Sequence, residues 1–179
     1  MKIIAFAGKK GSGKTTAAEY IKNKTLEYET GSLQIERINM KDALIQEMKE
    51  RLPGSLAFLS AIYEMPIEQL FREKPAGMRK LMQDWGCSRR EDWEDYWVDQ
   101  YKERVKKSSA NIVVTDDVRF PNELEAVQGL NGTVYRIIRK EHETGDNHTS
   151  ETSLDDIKLP TIEVKTLDEL YDQIDRILL

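Results

Sequence analysis

The chain has few sulfur and imidazole groups: one cysteine and two histidines in 179 residues. A lone cysteine, Cys87, excludes an intramolecular disulfide and is typical of proteins of a reducing compartment. So few thiol and imidazole ligands also make a structural zinc site a poor expectation. We therefore expect a cytoplasmic protein whose fold depends on its own hydrophobic core.

Long apolar runs are missing as well. No run approaches the roughly 20 residues that span a bilayer, and the apolar run at residues 3–7 stops at the charged Lys9 and Lys10, unlike a secretory signal. The net charge of -5 argues against broad electrostatic binding to polyanions. We expect neither nucleic acid nor a membrane as a partner. The length suits one well-buried α/β domain and is too short for two ordinary ones.

Residues 8–15, which read GKKGSGKT, fill every fixed position of the phosphate-binding pattern G-x-x-x-x-G-K-[ST]. The apolar run before them predicts a buried strand and the residues after them predict a helix, so a chance glycine-rich turn is the weaker alternative. Glycines let the backbone wrap a phosphate, which the helix N-terminus attracts. Lys14 would reach the β- and γ-phosphates, and the Thr15 hydroxyl would bind Mg²⁺. The predicted cofactor-binding residues are Gly8, Gly11, Ser12, Gly13, Lys14, Thr15 and Thr16.

The rest of the chain alternates predicted strands with predicted helices. Strands are expected over 33–38, 111–115, 133–138 and 161–164. Helices are expected over 42–51, in short pieces over 55–71, over 76–85 up to a stop at Gly86, over 91–107, over 121–128, and from a capping box at 166–169 onward. This alternation predicts an α/β fold with a parallel sheet that is covered by helices on both faces.

A second motif follows the apolar strand at 111–115. An apolar strand that ends in aspartate holds Mg²⁺ in phosphate-binding-loop proteins, often through water, and either Asp116 or Asp117 could take that role. The alternative is a solvated strand end, where aspartate is common. Arg119 lies just past the same end, where a guanidinium can bind a phosphate through two hydrogen bonds. A surface arginine would look the same.

Between these motifs lies a basic segment with tryptophan and glutamine among its cations. An enzyme that phosphorylates a small phosphorylated acceptor must hold the acceptor's own phosphate while its oxygen stays in line with the γ-phosphate. Any one of these side chains could be an ordinary surface group, but the cluster predicts acceptor binding. Its candidates are Arg72, Lys74, Arg79, Gln83, Trp85, Arg89 and Arg90.

The polar stretch from residue 139 to 160 predicts a lid, because long polar loops in compact domains are usually functional. Lid arginines neutralise charge on a transferring phosphoryl group, and Arg136 and Arg139 are candidates for that role. His148, with Ser150 and Glu151, is predicted to position the acceptor or lock the lid; a surface histidine is the alternative.

These segments resemble the bacteriophage-type deoxynucleoside monophosphate kinases. The resemblance rests on residues 8–15, on 79–90 with 96–98, on 116–123 and on 148–151. It implies a P-loop kinase-like three-layer fold in a single domain of residues 1–179, with a helical acceptor-binding insert at about 53–107 and a lid at about 139–160. The catalytic residues that it implies are Lys14, Arg119, Arg136 and Arg139.

The resemblance also implies ATP- and Mg²⁺-dependent conversion of a deoxynucleoside monophosphate to its diphosphate, in DNA precursor supply. A homodimer is expected, in the host cytoplasm if the chain is phage-encoded. Cys87 stands where many relatives have threonine and Thr15 where many have aspartate, and the spacing leaves open whether Arg89 or Arg90 binds the acceptor. A kinase of another phosphorylated acceptor, such as phosphomevalonate, and a P-loop NTPase without an acceptor are the alternatives.

Overall fold

The computed structural model describes residues 1–24, 33–139 and 152–178. The chain divides into two compact units. The first, which we call the sheet unit, comprises Met1–Asn39 and Lys102–Leu179; the second, the helical unit, comprises Met40–Tyr101. Most of the predicted lid, including His148, Ser150 and Glu151, lies outside the described residues. A single domain with an insert at about 53–107 stays a prediction.

A five-stranded sheet, in strand order β2-β3-β1-β4-β5, organises the sheet unit. All four strand pairings are parallel, which confirms the predicted α/β fold with a parallel sheet. Since parallel strands end at a common edge, the segments that follow β1, β2 and β3 meet there, as ligand-binding segments of such sheets do. The strands are β1 (Lys2–Ala7), β2 (Ile35–Arg37), β3 (Ile112–Thr115), β4 (Thr133–Arg139) and β5 (Thr161–Val164).

Eight helices belong to the described part of the chain. The last shows one of the two hydrogen bonds of the predicted capping box: Thr166 Oγ1 accepts from the Glu169 backbone N–H at 3.2 Å, whereas the Glu169 carboxylate accepts from Lys165 N, one residue before the predicted N-cap, at 2.7 Å. The helices are α1 (Lys14–Lys24), α2 (Met40–Arg51), α3 (Pro53–Tyr63), α4 (Ile67–Glu73), α5 (Ala76–Asp92), α6 (Tyr96–Lys107), α7 (Pro121–Gly129) and α8 (Leu167–Leu178).

Alternate residues of β1 face opposite layers of helices. Ile4 shares one buried cluster with Ile21 of α1 and Ile174 of α8. Ile3 points to the other face. There its side chain and that of Val127 of α7 both lie against Gly132, the residue before β4, where a Cβ would be 2.9 Å from Ile3 Cγ2 and 2.7 Å from Val127 Cγ1. Helices therefore cover both faces of the sheet, and the three-layer arrangement that the strand–helix alternation predicts is present.

Two predicted helix boundaries are wrong. Gly86 does not end a helix, because α5 continues through it to Asp92. It is buried, a Cβ there would lie 3.2 Å from Leu44 Cδ1, and its carbonyl accepts a hydrogen bond from Trp97 Nε1 at 3.0 Å. This glycine permits close packing within the helix. The next helix begins at Tyr96 and not at 91, because Trp93 is extended (φ -153°) and 59% exposed.

Candidate functional site

The 8–15 loop connects β1 to α1 and has a backbone that glycine alone adopts readily at three positions. Gly8, Gly11 and Gly13 have φ of 136°, 80° and 104°. At Gly8 a Cβ would lie 2.5 Å from the Ile137 carbonyl oxygen, so any other residue would both strain and displace the loop. The glycines of the motif are therefore required by the loop's shape, as the pattern predicts.

Two polar side chains of the loop, those of Lys14 and Ser12, are buried. Lys14 is 7% exposed, and its Nζ donates hydrogen bonds to the carbonyl oxygens of Gly8 at 2.5 Å and Lys9 at 2.8 Å. Ser12 is 6% exposed, and its Oγ has no hydrogen-bond partner within the described residues. A buried hydroxyl normally has a partner. The loop therefore offers both a cation and an unsatisfied hydroxyl to a ligand.

The two nucleotide motifs meet at the edge of the sheet. Thr15 Oγ1 donates a hydrogen bond to Asp116 Oδ2 at 2.6 Å, across 101 residues of sequence. The Asp116 side chain is fully buried, and Asn39 Oδ1 accepts a hydrogen bond from its backbone N–H at 2.9 Å. Asp117 is buried as well, so burial does not distinguish the two carboxylates. The hydrogen bond from Thr15 goes to Asp116, and this contact favours Asp116 over Asp117 as the carboxylate for the predicted metal role.

Arg37, at the end of β2, is a site residue that the sequence reasoning missed. Its Nε donates to Asp116 Oδ1 at 3.2 Å and its Nη2 to Asp116 Oδ2 at 2.7 Å, so the guanidinium contacts both carboxylate oxygens. A weaker contact of 3.7 Å joins its Nη1 to Glu19 Oε1, which belongs to a carboxylate that is 60% exposed. Its position at a strand end was the available signal, but the strand pairing was needed to use it.

A cavity of about 210 Å³ opens beside the loop, within the sheet unit. Residues 11–16 line it together with residues from the end of β4, from β5 and from the start of α8. Arg139 is brought to the loop in this way, as its predicted role requires. The lining residues outside the loop and α1 are Arg139, Val164, Thr166, Leu167 and Leu170.

Arg136 makes contacts that hold the chain next to the loop. Its guanidinium donates to the backbone carbonyls of Leu154, Asp155 (3.4 Å) and Ile157 (3.0 Å). Asp155 in turn lies 3.7 Å from Lys9 Nζ, as an exposed ion pair. These contacts brace the segment that leads into β5; a catalytic role of Arg136 stays a prediction.

Arg119 lies half-buried after β3, in a turn that a buried carboxylate fixes. Glu123 Oε2 accepts hydrogen bonds from the backbone N–H groups of Arg119 at 2.7 Å and Phe120 at 3.2 Å. Glu123 is 3% exposed, and it caps α7 in this way. The turn is therefore rigid, and its arginine starts from the ligand-binding edge of the sheet.

In the helical unit, Arg89 forms an internal cluster. Its Nη2 lies 2.6 Å from Glu47 Oε1, and its guanidinium stacks 4.7 Å from the Trp85 ring and 5.7 Å from the Tyr96 ring. Tyr96 Oη donates to Glu47 Oε2 at 2.7 Å. The Trp85 Nε1–H is buried and has no hydrogen-bond partner within the described residues. Glu47 and Tyr96 were not expected in such a cluster.

The other candidates of the helical unit differ in how exposed they are. Arg72, Arg79 and Gln83 are exposed, and Arg90 is half-buried. Lys74 follows α4 in the left-handed conformation, with φ of 51°, and its backbone N–H donates to Leu70 O at 2.8 Å. The choice between Arg89 and Arg90 for acceptor binding stays a prediction, although Arg89 already has a carboxylate partner.

The Tyr96–Glu47 hydrogen bond makes the free energy of unfolding depend on pH in the alkaline range. That bond, with burial and the charge of Glu47, raises the pKa of Tyr96 above its ordinary value of 10.0. A raised folded-state pKa stabilises the fold below the unfolded-state value and loses that contribution as the pH rises through the folded-state value. Tyr96→Phe should therefore cost about 1–2 kcal/mol of unfolding free energy at neutral pH. Urea unfolding should show this difference shrinking above pH 10; a difference that stays constant would contradict it.

The described residues lack two features that mark other kinds of site. No helix among them is long and apolar enough to cross a membrane. Nor do residues 1–24, 33–139 and 152–178 contain a cluster of three or more His, Cys, Asp or Glu side chains that could hold a metal ion. Because Mg²⁺ commonly keeps several water ligands and binds substrate phosphates, this finding does not bear on the metal role predicted for Thr15 and for Asp116 or Asp117.

Comparison with known proteins assigns the family. The deoxynucleotide monophosphate kinase family matches residues 33–174, which is most of the chain. The chain belongs to this family. The chain is 29% identical to an Acanthamoeba polyphaga mimivirus protein named "Putative deoxynucleotide monophosphate kinase". The alignment covers 97% of this chain and 94% of the mimivirus protein. The predicted resemblance is confirmed, and the chain is a nucleotide kinase by family.

Two other proteins are similar to parts or all of this chain. An uncharacterised protein, ORF77 of Ictalurid herpesvirus 1 (strain Auburn), is 30% identical over 87% of this family member. The chain spans 60% of that herpesvirus protein's length. Among solved structures, a gluconokinase from Sinorhizobium meliloti 1021 aligns with a TM-score of 0.42 and 15% identity, covering 98% of this chain and 93% of the gluconokinase.

Proposed function

We propose that this kinase transfers the γ-phosphoryl group of ATP, with Mg²⁺, to a deoxynucleoside monophosphate. The observation that carries the proposal is the Thr15–Asp116 hydrogen bond of 2.6 Å beside the 8–15 loop. It unites a loop suited to phosphates with a carboxylate suited to a metal, and both belong to one member of the deoxynucleotide monophosphate kinase family.

The residues of the sheet unit fit a bound ATP·Mg²⁺. The loop's backbone N–H groups and the N-terminus of α1 favour an anion, and the Ser12 hydroxyl, which has no partner in the part of the chain that the structure describes, supplies one more donor. Thr15 and Asp116 offer the hard oxygen atoms that Mg²⁺ prefers. In the cavity, Leu167 and Val164 offer apolar surface suited to a base, while Arg139 adds a cation. When bound, ATP·Mg²⁺ supplies the phosphoryl group and screens its charge.

Catalysis by these residues consists of positioning and charge neutralisation. Phosphoryl transfer needs little covalent help from a protein, and the phosphate oxygen of an acceptor is already anionic, so no general base is required. We assign Lys14 to the transferred phosphate; its Nζ would exchange the Gly8 and Lys9 carbonyls for phosphate oxygens. Arg119 and Arg139 are assigned to charge that develops during transfer.

For the acceptor we assign the basic residues of the helical unit. Arg89 presents a guanidinium stacked on Trp85, and the buried Trp85 Nε1–H, which has no partner among the described residues, could donate to a ligand. Arg90 lies one residue further along the same helix, half-buried. A homodimer and a role in DNA precursor supply belong to the same proposal, through the family.

The test is ADP release in a coupled assay with ATP, Mg²⁺ and a panel of deoxynucleoside and nucleoside monophosphates. At least one deoxynucleotide should raise turnover by about 10²-fold or more over the rate without acceptor. Phosphomevalonate is included as an acceptor of another class. Turnover with phosphomevalonate alone, or ADP release that no acceptor accelerates, would overturn the proposal.

A further inference from the structure

The carboxylate at the centre of the site is shared between a hydroxyl and a cation. Asp116 Oδ2 accepts from Thr15 Oγ1 at 2.6 Å and from Arg37 Nη2 at 2.7 Å, and Oδ1 accepts from Arg37 Nε at 3.2 Å. The carboxylate has no exposed surface, whereas the Arg37 side chain is 24% exposed. The Arg37 side chain therefore extends from near the surface to the buried Asp116 carboxylate and donates a hydrogen bond to each of its oxygens.

This arrangement has an electrostatic consequence for a metal ion. A buried carboxylate with no countercharge would attract a divalent cation strongly and turn an oxygen toward it. With Arg37 in place, the pair is neutral overall, and the planar guanidinium fixes the carboxylate through two hydrogen bonds. The carboxylate is thereby held as the acceptor for the Thr15 hydroxyl, whose remaining lone pairs are free to bind a metal.

We propose that Arg37 is a positioning residue that keeps Asp116 as the hydrogen-bond acceptor of Thr15 and weakens its direct attraction for the metal. This inference rests on the proposed function, since it needs a nucleotide-bound Mg²⁺ at Thr15. The role suits an enzyme that must release its product after each turnover, because a metal bound directly by an unpaired buried carboxylate would leave slowly.

The experiment measures Mg²⁺-dependent ADP binding, a readout that needs no acceptor and no turnover. Isothermal titration of ADP at a series of Mg²⁺ concentrations gives the Mg²⁺ concentration that half-saturates the effect. In Arg37→Met this concentration should fall about tenfold, a fraction of the Coulomb interaction of unit charges a few ångströms apart. ADP affinity in EDTA should stay at the wild-type value. The kcat for phosphoryl transfer should fall about tenfold, because Thr15 and Asp116 lose their fixed geometry.

Companion variants separate charge from geometry and guard against misfolding. Arg37→Gln removes the charge but keeps a hydrogen-bond donor; it should shift the Mg²⁺ requirement like Arg37→Met, and it decides the question if that variant does not fold. Arg37→Lys keeps the charge but loses the paired donors, so it should retain the wild-type Mg²⁺ requirement with a lower kcat. Glu19→Gln removes the weaker partner that Arg37 has among the described residues, an exposed carboxylate 3.7 Å away, and should change neither the Mg²⁺ requirement nor kcat.

The outcomes are distinct. A wild-type Mg²⁺ requirement in folded Arg37→Gln, or a raised one, would overturn the positioning role and leave Arg37 with a structural role only. A wild-type protein that shows the expected Mg²⁺-dependent ADP binding and the Arg37 shift, but phosphorylates no deoxynucleotide, would instead overturn the proposed function alone.

Discussion

Lys14→Ala should lower kcat by about 10²–10³-fold, the usual cost of removing one preorganised donor from a transition state. The structure holds the Lys14 ammonium among the loop carbonyls of Gly8 and Lys9, next to the place where phosphates would bind. The coupled ADP assay at saturating ATP and acceptor measures the effect. Circular dichroism and urea unfolding should show a folded chain, because the substitution leaves unchanged the glycines that set the backbone conformation of the loop.

Lys10→Ala is the matched control for Lys14→Ala. Lys10 lies in the same loop, carries the same charge and is exposed. Its replacement should change kcat by no more than about twofold, as expected for an exposed charge. Equal losses in the two variants would mean that the loop acts through its overall charge, and wild-type kcat in Lys14→Ala would remove this lysine from the mechanism.

Asp116→Asn should have the second large effect, on stability and activity together. Asparagine keeps the shape and can still accept from Thr15, but it leaves Arg37 with only the weaker 3.7 Å contact to the exposed Glu19 among the described residues. Removing one partner of a buried ion pair commonly costs about 3–5 kcal/mol, and we expect about 3 kcal/mol here because Arg37 is partly exposed. The kcat should fall about 10²-fold. Urea unfolding and the coupled assay measure the two effects.

Asp117→Asn is the control that decides between the two carboxylates. Both are buried, they are adjacent in sequence, and the substitution is chemically the same. If the Thr15 contact identifies the functional carboxylate, Asp117→Asn should retain at least about ten times the kcat of Asp116→Asn. The reverse order would assign the metal role to Asp117 and with it contradict the inferred role of Arg37.

Prediction from the sequence succeeded where a segment's structure depends on residues that are close to it along the chain. The Thr166–Glu169 capping hydrogen bond, the apolar strands and the glycine-rich loop all formed as expected, because each needs only short-range spacing. The stop assigned to Gly86 failed for the opposite reason. Whether a glycine ends a helix or admits a neighbour such as Leu44 depends on what packs against it, and spacing carries no record of that.

Charged partners were the harder part of the site. Arg89 was a candidate for an acceptor phosphate, yet it contacts Glu47, which is 42 residues away in sequence, and stacks on Trp85. The sequence supplied the charges of these residues but not their pairing. The tertiary structure therefore limits how freely Arg89 can serve a ligand, and it points to Trp85 Nε1–H as a donor still without a partner among the described residues.

By itself, the sequence determined a glycine-rich loop and a carboxylate at the end of a buried strand, and it predicted phosphate and metal roles for Lys14 and Thr15. These follow from residue type and from spacings of a few positions. Only the tertiary structure decided that Thr15 contacts Asp116, and that Arg37 holds the same carboxylate from 79 residues away. The reason is the strand order, which places β2 and β1 on either side of β3, so that three distant segments end at one edge.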